Sequence, residues 1–416
     1  MQVTRRFFTM AAPVALLAGC QGGVVPKVAS GGGAMDPAMR PQANPGYDAW
    51  VAAFRGRAAG AGISQATLNA AFRGAGYLPG VVERDRNQTE FTRTTEDYLA
   101  IMTSDEKIAN GRAAFGRRRA VLGEIEARYG VPAQIVAAIW GVESRYGARR
   151  GNIPVISATS TLAYDGRRGA FFEKQLIAAL RILQRGDVSA ERMMGSWAGA
   201  MGHTQFIPTT FDAYAVDFRG DGRRDIWSDD PTDALASAAA YLAKSGWREG
   251  QRWGLEVLVP EGFNAGLAGR GKGRAVDDWA AMGVRNASGG SLPNHGAASV
   301  LLPAGPGGPA FMIFNNFNVL LRYNNSENYA LGVGHLSDRL AGGGPLKGSF
   351  GPDRYGLTIK DRKDIQRRLM AKGYDTGGAD GVFGKKSEAA ISAYQQASGL
   401  AVTGEPSRAL LAHLKG

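Results

Sequence analysis

The sequence contains almost no cysteine or histidine, which narrows the chemistry open to it. Its 416 residues include one cysteine, Cys20, and four histidines, none of them in an HExxH pair. A single cysteine cannot close an internal disulfide or build a cysteine-based zinc site. The sequence therefore excludes disulfide-framed folds, zinc ribbons and HExxH metalloproteases.

Long apolar runs are missing as well. The run from Met10 to Leu17 is far shorter than the ~20 residues that cross a bilayer, and it follows two arginines. A basic start, a short apolar core and small residues before a cut site predict a secretory signal over residues 1–19. The segment Leu17-Ala18-Gly19-Cys20 resembles the bacterial lipobox, which implies cleavage before Cys20 and lipid attachment to it. An ordinary cleaved signal with a chance cysteine is the alternative.

Residues beside this segment bear on export and destination. Residues 4–8 (TRRFF) resemble a twin-arginine export motif, and two arginines are equally an ordinary charged start. Gln21 follows the cysteine, and a residue other than aspartate there implies the outer membrane in enteric-type sorting. We therefore expect a lipid-anchored protein on the periplasmic side of the cell envelope, at the outer membrane.

Glycine is the residue in excess, with 59 copies. Apolar residues make up 44% of the chain and charged residues 21%, which is enough to fold two or three domains. Glycine and proline clusters predict a flexible tether over residues 20–45 and a linker over 344–356. Between them we predict a mainly helical domain over 46–343, and after them a three-helix module over 357–416.

A helix over residues 132–146 carries the clearest chemical signal. Pro132 suits its first position and Gly147 its C-terminal cap. Apolar residues recur at helical spacing from Ile135 onward, and Glu143 lies inside that stripe. Burial disfavours a charged carboxylate and raises its pKa, so we expect Glu143 to act as a proton donor. A glutamate paired with a neighbouring arginine is the alternative.

Four segments in order along the chain resemble the membrane-bound lytic transglycosylase B family. They are IWGVESRYG (139–147), STLAYDGRR (160–168), GSWAGAMGHTQFIP (195–208) and RYNNSENYA (322–330). The resemblance covers roughly residues 46–341 and implies cleavage of peptidoglycan. The expected fold class is mainly α, with a lysozyme-like α+β catalytic domain followed by the small three-helix module.

The resemblance also implies a set of substrate contacts. They fall on Ser196, Gln205, Tyr323, Asn324 and Tyr329, and further on Tyr98, Arg167, Arg168 and Tyr241. Amides and hydroxyls pair with sugar hydroxyl and acetamido groups, and tyrosine rings are surfaces on which pyranose rings can pack. Structural roles are the alternative, with Gln205 capping a helix, Tyr323 in the core and Asn324 closing a turn.

The reaction of this family uses one acid. Most glycosidases use two carboxylates roughly 5–9.5 Å apart, and the nearest second candidate, Asp165, has Arg167 and Arg168 close by to pair with it. The resemblance implies that Glu143 protonates the glycosidic oxygen while the acetamido group of the substrate stabilises the developing cation. Glu143 then takes the proton of the 6-hydroxyl, which gives a 1,6-anhydro sugar. No cofactor is required.

An acidic loop over residues 217–233 begins with the spacing of a calcium-binding EF-hand. Its positions 1, 5, 6 and 7 are occupied by Asp217, Asp221, Gly222 and Arg223. Arg219 stands at position 3, where an oxygen ligand is expected. The resemblance places the last ligand on Asp233, which makes a structural Ca²⁺ site one hypothesis. The other is a solvated loop in which Arg219 replaces the ion by pairing with an aspartate.

The last sixty residues resemble the peptidoglycan-binding type 1 domain. The likeness lies in the IQRRL segment at 365–369, the turn at 380–384 and Tyr394-Gln395. A generic helical cap on the catalytic domain is the alternative.

Three other functions fit part of the pattern. A hydrolytic muramidase would use the same Glu143, and a catalytically silent wall-binding lipoprotein would retain the module. The formal net charge of +12 alone points to a nucleic-acid binder, but no basic recognition helix or aromatic RNA-binding motif accompanies it. The charge suits an acidic polymer beside anionic lipids. The partners we expect are peptidoglycan glycan strands, a membrane reached through the lipid and other cell-wall enzymes, with no nucleic acid.

Overall fold

The computed structural model describes residues 36–87 and 93–416. The predicted signal over 1–19, the predicted lipid site at Cys20 and most of the predicted tether lie outside these residues. The chain divides into two compact units. Unit I contains residues 93–146 and 238–416, and unit II contains residues 36–87 and 147–237.

Helices dominate both units, as the sequence predicts. Within the described residues they are α1 (Pro45–Gly60), α2 (Gln65–Phe72), α3 (Pro79–Arg86), α4 (Thr95–Met102), α5 (Asp105–Arg117), α6 (Arg119–Tyr129), α7 (Ala133–Ser144), α8 (Val155–Asp165), α9 (Gly169–Arg185), α10 (Pro208–Tyr214), α11 (Thr232–Lys244), α12 (Val276–Ala281), α13 (Asn315–Tyr323), α14 (Glu327–Leu340), α15 (Ile359–Ala371), α16 (Lys385–Ala397) and α17 (Arg408–Lys415). The short strands are β1 (Ile153–Pro154), β2 (Met194–Gly195), β3 (Gly254–Leu258), β4 (Arg285–Asn286), β5 (Ser299–Leu301) and β6 (Ala310–Ile313). None of the helices in the described ranges is long and apolar enough to cross a membrane.

Helix α7 lies at the centre of unit I. Helices α5, α6 and α14 pack against it, and α4 packs against α14. Ten of its 12 residues are buried, because nearly every position is apolar or small. The predicted stripe is therefore too narrow, since a helix that is apolar on all sides belongs in the interior.

A four-stranded antiparallel sheet completes this part of unit I. Its strand order is β4-β3-β6-β5, and Met312 on β6 lies opposite both Leu255 on β3 and Val300 on β5. The apolar side chains of the strands share a cluster with Trp279 of α12, which is fully buried. The indole of Trp279 donates a hydrogen bond to the carbonyl of Ala298 at 2.8 Å, so its one polar group is satisfied in the core.

Unit II is a helical body with α8 and α9 packed together. Helices α1 and α3 pack against α8, whereas α2 and α10 pack against α9. The hydroxyls of Tyr47 on α1 and Ser160 on α8 share a buried hydrogen bond of 2.7 Å. Strands β1 and β2 pair antiparallel and lie within this unit.

The predicted tether ends earlier in the chain than its composition indicates. A 3₁₀ turn at Pro37–Met39 buries Met39 in a cluster with Leu78. Gln42 then pairs with Tyr77 in an antiparallel bridge. This segment therefore belongs to unit II. The composition did not indicate this, because the core contact is made with a residue about 40 positions further along the chain.

The C-terminal module has the three helices that the sequence predicts, α15 to α17. Its core contains Leu357, Ile365, Ile391 and Leu411. Arg362 of α15 is buried and forms ion pairs with Glu96 and Asp97 of α4, the second at 2.7 Å. The module is thus joined to the helical part of unit I by a charged contact.

The predicted linker over 344–356 is held in place along part of its length. The carboxylate of Glu256 on β3 accepts hydrogen bonds from the backbone N–H groups of Lys347 and Gly348, at 2.9 and 2.6 Å. Charge-assisted hydrogen bonds of this kind are about twice as strong as neutral ones. The glycine-rich composition predicts a flexible linker, but in the structure Lys347 and Gly348 are held to strand β3.

Candidate active site

Glu143 is the accessible carboxylate of an otherwise buried helix. Within α7 only Gln134 and Glu143 are not classed as buried, and Glu143 is half-buried. A carboxylate on a rigid, fully packed helix is held in one position while part of it remains open to solvent. This is the combination that proton transfer to a bound substrate requires.

The helix ends at Ser144, and a strained turn begins at the next residue. Arg145 and Tyr146 both adopt left-handed backbone angles, with φ of 50° and 57°, and few non-glycine residues do so. The Tyr146 ring lies against Gly141, where an added Cβ atom would overlap it. Gly147, which the sequence predicts as the C-terminal cap, is the third residue of this left-handed turn, with a positive φ of 88°.

Tyr329 contacts Glu143 directly. Its hydroxyl donates a hydrogen bond of 2.7 Å to Oε1 of Glu143, and the ring is only 2% exposed. Burial raises the pKa of Tyr329 well above its usual value, and the negative charge of Glu143 adds to the rise. The phenol therefore keeps its proton and acts as a donor that orients the carboxylate.

Two further tyrosines extend this contact away from Glu143. Tyr323 stacks on Tyr329 with ring planes 7° apart and centroids 6.3 Å apart, and Tyr241 meets Tyr323 edge to face at 5.3 Å. The hydroxyl of Tyr241 donates to the carbonyl of Arg322 at 2.6 Å. Tyr323 is fully buried, so the expectation that the faces of Tyr323 and Tyr329 are open to pyranose rings is wrong. The three rings instead form a packed support behind Glu143.

The two remaining predicted contacts of unit I flank these tyrosines. Asn324 ends α13, where its backbone N–H donates to the carbonyl of Leu320 at 3.2 Å, and it is 7% exposed. Tyr98 of α4 is half-buried and lies over Gly332 of α14, where an added Cβ would come within 2.9 Å of its ring. Unit I thus brings Glu143 together with Tyr329, Tyr323 and Tyr241, with Asn324 and Tyr98 on the adjoining helices.

Ser196 and Gln205 lie in unit II and shape one tight turn. The hydroxyl of Ser196 accepts a hydrogen bond from the N–H of Ala200 at 3.1 Å. Gln205 has a left-handed φ of 51°, and its side-chain nitrogen donates to the carbonyls of Arg150 and Gly202, both at 2.9 Å. The amide nitrogen of Gln205 is therefore already committed to backbone carbonyls of this turn. It does not cap α10, whose N-terminus has no side-chain cap hydrogen bond.

Arg167 and Arg168 also lie in unit II, and both pair with Asp85. Arg167 reaches Oδ2 of Asp85 at 2.5 Å and Arg168 reaches Oδ1. Burial would raise the pKa of Asp85, but the two guanidiniums outweigh it and hold that pKa below its usual value. The expected pairing with Asp165 is wrong, because Asp165 pairs with Arg86 at 2.6 Å.

The acidic loop of unit II is closed by its own backbone. Asp217 accepts hydrogen bonds from the N–H groups of residues 220, 221 and 222, and Asp221 accepts one from that of Arg223. Asp233 accepts from two further N–H groups, and burial raises its pKa, with the charges of Asp217 and Asp221 adding to the rise. Among the described residues, no group of three or more acidic, histidine or cysteine side chains is arranged to hold a metal ion.

The guanidinium of Arg219 lies over the ring of Phe218 at 5.3 Å. Position 3 of the loop therefore offers a cation where an EF-hand needs an oxygen.

Sequence reasoning missed Asp85 and the role of Tyr146. Asp85 lies about 80 residues before its two arginines, and no local spacing marks such a pairing. Tyr146 is at apolar spacing on the predicted helix, but nothing in the sequence indicates that its backbone turns left-handed. A signal for Tyr323 did exist, since it follows Val319 and Leu320 at helical spacing and so continues a core stripe.

Comparison with known proteins shows which family of proteins this chain resembles. A family model for the transglycosylase SLT domain matches residues 46–338, and one for a peptidoglycan binding domain matches residues 358–414. Membrane-bound lytic murein transglycosylase B of Escherichia coli (strain K12) is 32% identical over 247 residues. That alignment covers 59% of this chain and 66% of the relative, just under two thirds of its length.

Solved structures agree with these matches. SltB3 of Pseudomonas aeruginosa in complex with NAG-NAM-pentapeptide is 48% identical, with a TM-score of 0.72 over 89% of this chain and 100% of that one. The Escherichia coli lytic transglycosylase Slt35 in complex with calcium is 28% identical, with a TM-score of 0.60 over 74% of this chain and 97% of that one. The predicted lysozyme-like catalytic fold with a helical wall-binding module is thereby confirmed, and the chain belongs to the SLT-domain family of lytic transglycosylases.

Proposed function

We propose that this protein cleaves the β-1,4 bond between MurNAc and GlcNAc in peptidoglycan and leaves 1,6-anhydro-MurNAc ends. The observation that carries the proposal is Glu143, an accessible carboxylate on a buried helix that receives a hydrogen bond from the protonated phenol of Tyr329. A carboxyl group fixed in this way can exchange one proton with a bound sugar twice in one cycle.

In the first step the protonated Glu143 gives its proton to the glycosidic oxygen as the bond to the anomeric carbon breaks. This carbon belongs to the MurNAc residue, whose own acetamido oxygen bonds to it and carries the developing charge. In the second step the Glu143 carboxylate takes the proton of the 6-hydroxyl, whose oxygen displaces the acetamido group. Glu143 is regenerated in its acid form, no water is consumed, and no cofactor takes part.

The remaining predicted contacts divide between positioning and recognition. Tyr329 orients Glu143, and Tyr323 and Tyr241 support Tyr329 from behind. We assign sugar contacts to Asn324 and Tyr98 in unit I. In unit II we assign them to Ser196, the amide oxygen of Gln205 and the exposed parts of Arg167 and Arg168, where the side chains are 46% and 33% exposed.

The test is incubation of purified sacculi with the full-length protein and mass analysis of the soluble products. We expect muropeptides with anhydro ends, and Glu143→Gln should release none of them while melting at the temperature of the parent protein. Products that have gained one water per cleaved bond would identify a muramidase instead. Release of anhydro products by Glu143→Gln would overturn the role of Glu143.

We also propose that Cys20 carries a lipid that anchors the mature chain at the periplasmic face of the outer membrane. The lipobox resemblance supports this, and the curated Escherichia coli relative is described as membrane-bound. Cys20→Ser should move the protein from the membrane fraction to the soluble fraction of the envelope.

For the acidic loop we propose that hydrogen bonds, and not Ca²⁺, hold it closed, because Arg219 occupies a ligand position. Chelation followed by Ca²⁺ addition should leave the melting temperature unchanged in the parent protein. In Arg219→Asp, which supplies the missing oxygen ligand, Ca²⁺ should raise it. A Ca²⁺-dependent melting temperature in the parent protein would contradict the proposal.

A further inference from the structure

Arg150 joins two loops of unit II that are distant in sequence. One is the tight turn that contains Gln205, and the other is the 225–229 segment within the acidic loop. The guanidinium of Arg150 donates hydrogen bonds to the carbonyls of Trp227 and Ser228, at 3.0 and 2.6 Å. The backbone carbonyl of the same residue accepts the hydrogen bond from the side-chain nitrogen of Gln205 at 2.9 Å. Arg150 thus holds one loop through its side chain and the other through its main chain.

The carbonyls that Arg150 contacts are also fixed by other groups. The Oδ1 atom of Asp225 accepts hydrogen bonds from the N–H groups of Trp227 and Ser228, at 2.9 and 3.0 Å. The Nε2 atom of His203 lies 2.7 Å from the carbonyl oxygen of Ser228. Because a carbonyl oxygen only accepts, Nε2 carries a proton and is the donor. The guanidinium and the imidazole therefore share one acceptor, which accounts for their separation of 3.3 Å.

The ion pair of Arg150 contributes less than these hydrogen bonds. Its partner Asp229 lies 2.7 Å away, but the side chain of Asp229 is 98% exposed. An ion pair so open to solvent adds little to stability. The Arg150 side chain is only 30% exposed, so its loss would leave the two carbonyls with fewer donors in a place that water reaches poorly.

The turn that contains Gln205 packs directly on the 225–229 segment. An added Cβ at Gly202 would come within 2.2 Å of the carbonyl oxygen of Ile226. The same oxygen accepts a hydrogen bond from the backbone N–H of His203 at 3.1 Å. With no space between the two loops, a displacement of the segment would also displace the turn.

The side-chain amide of Gln205 is satisfied at its nitrogen and open at its oxygen. Gln205 is 7% exposed, and its nitrogen donates to the carbonyls of Arg150 and Gly202. Its oxygen accepts no hydrogen bond from the described residues. Because the amide is planar and has two N–H donors, two bonds at the nitrogen fix the direction of the oxygen. A mostly buried acceptor without a partner favours a ligand that brings a donor.

We propose that Arg150 is a positioning residue, which holds the Gln205 amide oxygen ready for an acetamido N–H or a hydroxyl of the glycan strand. The proposal rests on the proposed function, which assigns that oxygen as a sugar contact. The carbonyl of Arg150 binds the amide nitrogen, and its guanidinium fastens the segment on which the turn is packed. Arg150 does not itself touch the sugar, so its effect on binding passes through Gln205.

The test is a double-mutant cycle on the binding of soluble glycan strands. It uses the full-length protein in the inactive Glu143→Gln background, so that no strand is cut. Arg150→Gln and Gln205→Asn should each weaken binding by about tenfold. Asparagine withdraws the amide by one methylene and tolerates the left-handed backbone. The double variant should bind no more weakly than Gln205→Asn alone, whereas a general disturbance of unit II would add a further loss.

Arg150→Lys keeps a donor for the carbonyls but lacks the planar fork, so it should lose less binding than Arg150→Gln. It also carries the cycle if Arg150→Gln fails to fold, which thermal melts of every variant will show. Arg181→Gln, which changes an exposed arginine of α9, is the matched control and should bind as the parent does. Asp229→Asn should do the same, because its carboxylate is exposed.

Two results would overturn the positioning role. One is unchanged binding in Arg150→Gln or in Gln205→Asn, and the other is a further loss when the two changes are combined. Release of anhydro products by protein with Glu143 intact is measured separately. A protein that binds strands through Gln205 but releases no such products would contradict the proposed function and leave the positioning role standing.

Discussion

At the scale of single residues, the proposed chemistry depends on one hydrogen bond. Tyr329 is buried and keeps its proton, and its hydroxyl donates a hydrogen bond to Glu143 at 2.7 Å. In the mechanism above, the Tyr329 hydroxyl exchanges no proton with the substrate and forms no bond to it. Tyr329 therefore acts as a positioning residue. Its removal should therefore affect turnover more than binding.

Tyr329→Phe removes the hydroxyl and keeps the ring. We expect kcat to fall about ten- to a hundredfold with KM little changed, because the lost bond orients a group that acts in the transition state. Steady-state kinetics on soluble strands measures the split. Tyr47→Phe, which loses a buried tyrosine hydrogen bond in unit II, is the control and should keep its kcat. An equal fall in both variants would show that the effect is on folding.

His335 gives the fold a dependence on acid. It lies on α14, and burial lowers its pKa from 6.5 to about 4. The unfolded chain therefore binds a proton between these values while the folded chain does not, so stability is lost as pH falls from 6.5 towards 4. The loss attributable to His335 is up to about 3 kcal/mol.

Replacing His335 by Gln should remove this contribution. Urea unfolding at pH 7 and at pH 4 should show a smaller acid loss in His335→Gln than in the parent protein. Equal losses in the two proteins would mean that His335 does not set the acid limit.

At the scale of elements, the end of α7 is built around a glycine. An added Cβ at Gly141 would overlap the Tyr146 ring, which is held in a left-handed turn two residues after Ser144. Ring and turn have no room to move independently, because α7 is packed on all sides. The left-handed conformation of Arg145 and Tyr146 thus depends on Gly141, one helical turn earlier, having no side chain.

Gly141→Ala should therefore destabilise the protein by about 1–3 kcal/mol and lower activity, since it overfills this space. Gly123→Ala on α6 is the matched control, because no atom lies within 4 Å of its added Cβ. The control should be neutral or stabilising by up to about 1 kcal/mol. Thermal melts and product release measure both, and a stable, active Gly141→Ala would refute the packing argument.

Local patterns predict elements whose cause is local. The apolar spacing and Pro132 locate α7 and Glu143, and helical spacing also locates the three helices of the module. The sheet of β3 to β6 was not predicted, because its longest strand has five residues and its partners lie up to about 60 residues away. The same distance in sequence hides the Asp85 partner of Arg167, and tertiary burial hides the fact that Tyr323 faces the core.

At the scale of the whole chain, Arg362 joins the wall-binding module to helix α4 of the same unit. This side chain is 6% exposed, and the carboxylates that face it on α4 are 12% and 23% exposed. Removing one member of a buried ion pair leaves the other charges uncompensated and is costly. If Arg362 is removed, the module should therefore separate from α4 before the module itself unfolds.

Arg362→Gln should release this contact. We expect faster proteolysis within residues 344–356 and a larger radius of gyration in solution, with the catalytic rate on short soluble strands retained. Arg354→Gln, which changes an exposed arginine near the same helix, should behave as the parent does. Unchanged proteolysis of Arg362→Gln would show that the Glu256 contacts alone hold the module.

The clamp formed by Glu256 and Arg362 also bears on the fragments that the proposed cleavage would release. A module on a free tether would grip the wall at any distance its chain could span, and the fragments would vary in length accordingly. With the linker held to β3 and α15 held to α4, the stretch of strand between grip and cut is set by the fold. The fragments from long uniform strands should then cluster around one length, and releasing the clamp should broaden that distribution.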